Sequence, residues 1–373
     1  MSMMHAYQKQ LTGESVGVVF GSFAPLHQGH LDLIMRAKKE NDGGAIVIVC
    51  GAAGDKGEPL MPHKKRYRYV REFFADDDLV AVYSINDTEL GLDSYPNGWT
   101  GWMEEFDRIY EEAVDMDTFP ERRWYVGDPN YAEDLKNLFR EDVTLVDRVA
   151  ENPICATMIR QNPIKHWDKI AAPFRRVFSH NILITGTASE GKSTLVQDLG
   201  KYFNAPCSHE WARDYMAQSC VADWELDSAD FMAFIEGQYN LNRQLINSSG
   251  NHGVFFADTD SLVTKMYASK YAEDPDCDLT AEEYERVAIM ADEYARKSRW
   301  DAVFVLCPNG TFIDDHTRYM KHSDMDERKD LYDRLADNIK QHYDPDKVFV
   351  LKGGSYYENF KTIVNYVNGV MSR

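Results

Sequence analysis

The chain has 373 residues, 44% of them hydrophobic and 27% charged, which excludes a disordered protein and suffices for two domains of ordinary size. A net charge of −20 argues against a nucleic-acid partner, because phosphate backbones need a basic face. The longest apolar stretch, residues 45–53, falls far short of the roughly 20 residues of a membrane helix. In chain order, residues 16–21 form an apolar run ending in glycine and read as the first strand. Residues 29–39 follow with Leu31, Ile34 and Met35 at helical spacing. Residues 45–50 read as a buried strand, 63–74 as a helix, 79–84 as a strand, 99–113 as a helix and 122–127 as a strand. Strands and helices alternating at this spacing predict a parallel sheet covered on both faces.

The alternation restarts in the second half. Strands are expected at 181–185, 253–258, 302–306 and 347–351, and helices at 192–202, 280–299, 326–343 and 356–370. Between the halves, residues 161–180 hold two prolines and the basic pair Arg175 and Arg176. The expected domains are therefore 14–165 and 180–373. No internal repeat or low-complexity tract is visible.

The first strand runs directly into Gly21-Ser-Phe-Ala-Pro-Leu-His-Gln-Gly-His30, which opens the first helix. Glycines let backbone approach phosphate, and a helix N-terminus favours negative charge. His27 and His30 are three apart, so both imidazoles can face one site. They can donate to the equatorial oxygens of a transferring nucleotidyl group, which needs no covalent nucleophile. Two surface histidines or a zinc pair would share this spacing, but no third zinc ligand stands nearby. Lys56 and Arg66 are candidate phosphate contacts. Asn97, Trp99 and Trp102 offer a polar group and two indoles that could stack on a flat cationic ring, or else pack in a core.

The whole string resembles the G-x-F-x-P-x-H-x-G-H signature of the nucleotidyltransferase α/β superfamily, matched by Gly21, Phe23, Pro25, His27, Gly29 and His30. That superfamily carries a later I-S-x-T-x-[IL]-R motif, to which Ile154-Cys-Ala-Thr-Met-Ile-Arg160 is similar, with Thr157 and Arg160 retained. Cys155 stands where serine is usual, and a thiol is the weaker hydrogen-bond donor. The resemblance implies that Gly21, Ser22, Phe23 and Thr157 meet ATP, with His27, His30 and Arg160 catalytic. Gly127 and Asp128, in Trp124-Tyr-Val-Gly-Asp-Pro129, resemble the strand end that meets the adenosine side in adenylyltransferases.

In the second half, Gly186-Thr-Ala-Ser-Glu-Gly-Lys-Ser-Thr194 fits G-x-x-x-x-G-K-[ST] between an expected strand and helix. Backbone N–H groups of Ser189, Glu190, Gly191 and Thr194 can cradle phosphates, Lys192 can reach the β- and γ-phosphates, and Ser193 can ligate Mg²⁺. Asp258 and Asp260 end a strand and suit the hydration shell of that magnesium, or cap the helix that follows. Arg318 and Arg328 suit a lid over the transferring phosphoryl group. Glu210 and Asp214, four apart with Arg213 beside them, offer carboxylates that could act as base or hold ribose hydroxyls.

Both halves in this order resemble the NadR-type family, in which a nicotinamide-mononucleotide (NMN) adenylyltransferase is fused to a ribosylnicotinamide kinase. The resemblance implies a Rossmann-like nucleotidyltransferase sheet followed by a P-loop sheet. It implies ATP, nicotinamide riboside, NMN and NAD as ligands, with Mg²⁺ as cofactor. Some members carry a helix-turn-helix repressor domain first, and the segment before residue 16 is too short for one, so an enzyme is expected and not a DNA-binding regulator. Rival readings keep the motifs but change the substrates, or make the protein a nucleotide sensor with a vestigial site. Residues 1–13 lack a signal peptide's apolar core. The six cysteines (Cys50, Cys155, Cys207, Cys220, Cys277, Cys307) form no C-x-x-C pair, which fits a reducing, cytoplasmic setting. Assembly into a homo-oligomer is compatible with all of this.

Overall fold

The computed structural model describes residues 10–51, 59–93, 97–146, 153–308, 324–352 and 355–372. They fall into two compact units, Met1–Phe178 and Ser179–Arg373. The first contains strands β1 (Ser15–Gly21), β2 (Ala45–Cys50), β3 (Val80–Ile85), β4 (Glu121–Val126) and β5 (Asp142–Leu145). Its helices are α1 (Gln28–Glu40), α2 (His63–Phe73), α3 (Asp87–Leu90), α4 (Trp99–Ala113), α5 (Pro129–Phe139), α6 (Ala156–Gln161) and α7 (Ala172–Phe178). The strands form one parallel sheet in the order β3-β2-β1-β4-β5. Chain direction across the sheet reverses between β1 and β4, and such a switch point leaves a crevice at the carboxyl ends of the strands.

Every residue of β2 is buried, and alternate residues face opposite sides. Val47 and Val49 join a core with α1, α2 and α7, while Ile46 and Ile48 join one with α4 and α5. A sheet covered on both faces produces such unbroken apolar runs, and each fully buried large side chain contributes about 1.5–3 kcal/mol. Residues 166–178 pack into the first unit: Trp167, Ile170 and Phe174 lie in its core, and Ala171 N–H donates to Leu26 O at 3.1 Å.

The second unit contains β6 (His180–Gly186), β7 (Cys207–Ser208), β8 (Val254–Ala257), β9 (Ala302–Leu306) and β10 (Val348–Leu351), all parallel in the order β10-β9-β6-β8-β7. Its helices are α8 (Lys192–Phe203), α9 (Trp211–Ser219), α10 (Ser228–Ile246), α11 (Ser261–Tyr271), α12 (Ala281–Lys297), α13 (Met325–His342) and α14 (Tyr356–Met371). Helices α8 and α14 cover one face of this sheet, and α11 and α13 the other. A further cluster, built on α10, α11 and α12, includes Phe231, Phe234 and Tyr271. No helix among the described residues is long and apolar enough to cross a membrane.

Candidate active sites

In the first unit, the signature string lies at the carboxyl end of β1. His27 is 1% exposed and occupies the N-cap of α1, where its Nδ1 accepts the Gly29 N–H at 3.1 Å. Because Nδ1 accepts, the neutral ring carries its proton on Nε2. The His30 ring lies 3.8 Å from that of His27, centroid to centroid, and Phe23 packs edge-on against it at 5.0 Å. A Cβ on Gly29 would come within 3.2 Å of His27 Cε1 and 3.4 Å of its Nδ1, close enough that the ring would have to shift.

The two motifs of the resemblance meet here. Arg160, on α6, donates to Ala24 O at 2.5 Å and to Thr157 Oγ1 at 3.1 Å. Cys155 is the exposed N-cap residue of α6 and makes no side-chain cap hydrogen bond. Its thiol, a weak hydrogen-bonding group, leaves this helix end without a side-chain cap.

Other expected residues of this unit find different employment. Arg66 is fully buried and donates to the carbonyls of Met61 (3.0 Å), Cys50 (2.9 Å) and Ser22. A buried guanidinium needs such partners, so Arg66 braces the loop containing Ser22 and does not present its charge to phosphate. Trp99 belongs to the core, with its indole N–H on Asp134 at 2.9 Å and its ring among Phe20, Tyr131 and Phe139. Trp102 is half-buried and donates to Asp93 O at 3.0 Å. Packing thus accounts for both indoles. Asn97 is exposed in the turn before α4, and Gly127 follows β4. Asp128 caps α5 by accepting the Asn130 N–H at 2.9 Å. Lys56 lies outside the described residues.

In the second unit the P-loop joins β6 to α8. Gly186 has φ +149°, and a Cβ there would lie 2.7 Å from Leu306 O. Gly191 is left-handed at the N-cap of α8, and Ser189 also has positive φ. Thr194 is exposed in the first turn of α8. Lys192 Nζ folds back onto Thr187 O at 2.6 Å. The Ser193 hydroxyl donates to Asp258 Oδ2. Asp258 is 2% exposed, and its Oδ1 is buried with no hydrogen-bond partner. Burial raises its carboxyl above the usual range, and Lys192 opposes that rise. One hydroxyl and one free carboxylate oxygen thus form a pair of hard donors beside the loop. Among the described residues, no group of three or more histidine, cysteine or carboxylate side chains could hold a metal by itself.

Asp260 departs from the magnesium expectation. Its Oδ1 caps α11 through the Leu262 N–H at 3.1 Å, and its Oδ2 accepts the Tyr343 hydroxyl. Each oxygen thus has a protein partner, and burial raises its carboxyl, so the structure employs Asp260 as a helix cap. Arg328 is also placed differently from a mobile lid cation. Its side chain is 2% exposed and pairs with the carboxylate of the P-loop residue Glu190, itself 1% exposed. Arg318 lies outside the described residues.

Glu210 and Asp214 do not share a face, because Glu210 is the extended N-cap residue of α9 and helical spacing does not reach it. Asp214 is half exposed and bonds His209 at 2.6 Å. Glu210 accepts Arg213 Nε at 2.8 Å, and both line a cavity of about 350 Å³. Glu210 raises and Arg213 lowers the Asp258 carboxyl, so this end of the cavity adjoins the P-loop chemistry. Thr259, next to Asp258, lines it too. Asp214 is therefore the poorer candidate for catalysis. The cavity walls (Asp223, Trp224, Phe231, Phe234, Tyr267, Tyr271) went unnoticed in the sequence. Tyr267 and Tyr271 on α11, and Phe231 and Phe234 on α10, each stand one helical turn apart, a spacing that could have marked them as sharing a face.

Residues 18–162 match the cytidylyltransferase-like family, and residues 181–356 match the AAA domain family. Among solved structures, a NadR protein in complex with NR shares 32% identity at a TM-score of 0.83, covering 98% of each chain. A NadR protein in complex with NAD and AMP-PNP shares 32% identity at a TM-score of 0.80, covering 96% of this chain and 98% of that one. The trifunctional NAD biosynthesis/regulator protein NadR of Escherichia coli (strain K12) is 26% identical over 340 residues, 88% of this chain and 77% of that protein. The likeness extends through both units and almost the whole length, and the chain, a nucleotidyltransferase and kinase in one, belongs to the NadR family.

Proposed function

We propose that this enzyme makes NAD in two ATP-dependent steps, with residues 180–373 phosphorylating nicotinamide riboside and residues 14–165 adenylylating the NMN produced. The observation that carries this reading is the aromatic cavity adjoining the P-loop at Glu210 and Thr259, in the same chain as an intact paired-histidine turn. The NR, NAD and AMP-PNP bound to NadR relatives support these ligands.

In the kinase step the riboside 5′-hydroxyl oxygen attacks the γ-phosphorus of ATP. The bond to the β–γ bridging oxygen breaks, ADP leaves, and the hydroxyl proton passes to Glu210. Lys192 releases Thr187 O and moves onto the phosphates. Ser193 Oγ and Asp258 Oδ1 fit a magnesium ion, which keeps most of its water and takes few protein ligands. When bound with the nucleotide, magnesium neutralises phosphate charge and aligns the β- and γ-groups. Arg328, close to the loop through Glu190, is available to exchange that carboxylate for phosphate.

In the transferase step an NMN phosphate oxygen attacks the α-phosphorus of a second ATP, and pyrophosphate leaves. His27, protonated on Nε2 by the geometry above, donates to the charge that builds on the transferring group. Arg160 supplies the fixed cation for the departing pyrophosphate. The reading assigns the enzyme to the cytoplasm, in keeping with six cysteines that form no C-x-x-C pair.

An assay of the purified chain with ATP, magnesium and nicotinamide riboside tests this, following ADP, NMN, pyrophosphate and NAD separately. Each NAD should appear with one ADP and one pyrophosphate. Folded protein yielding neither phosphorylated nor adenylylated product would overturn the assignment.

A further inference from the structure

The cavity of the second unit combines aromatic walls with an acidic group. Trp224, Phe231, Phe234, Tyr267 and Tyr271 line it, and Asp223 stands among them at 5% exposure. Asp223 Oδ2 accepts the Tyr271 hydroxyl at 2.8 Å. Burial, reinforced by the Asp223 charge, pushes Tyr271 well above the ordinary phenol range, so it enters this contact as the proton donor. The other charged groups of the lining, Glu210 and Arg213, bond each other at 2.8 Å and offset one another. The lining therefore holds two carboxylates against one guanidinium.

A flat ring bearing a positive charge answers both features. Its faces can stack on the aromatic walls, and its charge finds a carboxylate within a site of low polarity. A neutral purine or pyrimidine would use the walls alone. A ring carrying its own carboxylate would add a third negative group to a lining already acidic. We propose that Asp223 is a specificity-determining residue of the acceptor site, selecting a nucleoside with a cationic ring over neutral nucleosides and over acid-bearing analogues. The proposal rests on the reading that the second unit phosphorylates such a nucleoside.

The test compares nicotinamide riboside with its dihydro form, nearly the same in shape but uncharged in the ring. ADP release by the full chain is measured for the parent and for Asp223→Asn, which still offers Tyr271 an acceptor. KM for the cationic riboside should rise about 10- to 100-fold, while kcat, and KM for the dihydro form, change less than about threefold. Tyr271→Phe, which keeps the carboxylate but frees its orientation, should shift the same ratio in the same direction by less. Equal losses for both ribosides, or no change for either, would overturn the proposal and leave the kinase assignment standing. Calorimetric titration with 1-methylnicotinamide, a pyridinium lacking ribose, separates the two ideas. Binding to the parent that is lost in Asp223→Asn upholds ring recognition even if neither riboside is phosphorylated. Absence of binding to the parent counts against it.

Discussion

His27 and Gly29 divide the labour of the first site. The imidazole is held by the N–H of Gly29, and the missing side chain at Gly29 leaves that ring its space. A methyl group added there would press on His27 at 3.2 and 3.4 Å, and the ring is too deeply buried to yield outward. The relief would come from a change in the His27–His30 stack, by a few tenths of an ångström. Positioning errors of this size cost rate much more than fold. Gly29→Ala should lower kcat for adenylylation about tenfold and leave riboside phosphorylation and the thermal midpoint nearly unchanged. A loss of both activities together would show that the substitution unfolds the chain instead. Residues of this kind were legible in the sequence because the chemistry dictates their type: few residues other than glycine and histidine serve in that turn. Asp223 was not, since an aspartate beside a tryptophan has no spacing that marks it.

At the scale of elements, what the sequence revealed depended on how dry each element's buried face is. Strands β2 and β9 are apolar throughout and were readable to the residue. Helix α10 escaped notice because its buried face includes Gln238 and Asn242, which break the apolar period. Helix α9 has no fully buried residue, and β7 is two residues long. Yet α10 positions the acceptor site. Gln238 accepts the Trp211 N–H at 2.8 Å and donates to His209 O at 3.1 Å, holding the chain on both sides of Glu210. Gln238→Leu would strand both backbone groups, costing about 1–3 kcal/mol. Riboside phosphorylation should fall about tenfold while adenylylation is unaffected. Phosphorylation at the parent rate would remove Gln238 from the positioning of Glu210.

A second element depends on a carboxylate. Asp42, in the turn between α1 and β2, accepts the N–H groups of Glu14 (2.9 Å) and Ser15 (3.0 Å) and so fixes the start of β1. Those bonds hold its carboxyl below the ordinary value. A lowered carboxyl stabilises the fold above its unfolded value, about 3.9, and loses that contribution as pH falls through the folded value. Asp42→Asn should therefore unfold at a lower temperature than the parent at pH 7. The gap should narrow as pH falls below the unfolded value of about 3.9, and thermal scans from pH 7 into that acid range decide it. A gap independent of pH would mean that shape, not charge, holds the turn.

Over the whole molecule, each phosphate motif stands at the carboxyl end of the first strand of its own sheet, β1 and β6, and each sheet has its own core on both faces. That much followed from two motifs and two runs of alternating elements. Which carboxylate lines the cavity did not, because the i to i+4 rule presumes that Glu210 is helical and it is not. Separate cores imply separate failures. Lys192 bonds Thr187 O of its own loop and lies in the second unit, so Lys192→Ala removes a phosphate contact without opening the first unit. Riboside phosphorylation should drop by about 10³-fold or more while NMN adenylylation persists at close to the parent rate. His30→Ala should do the reverse, since the ring it removes packs on His27 and Phe23 within the first unit. Assaying each variant with riboside and, separately, with NMN gives four rates, and the two large losses should fall on opposite substrates. Either substitution silencing both steps in folded protein would mean that the units are coupled in catalysis despite their separate cores.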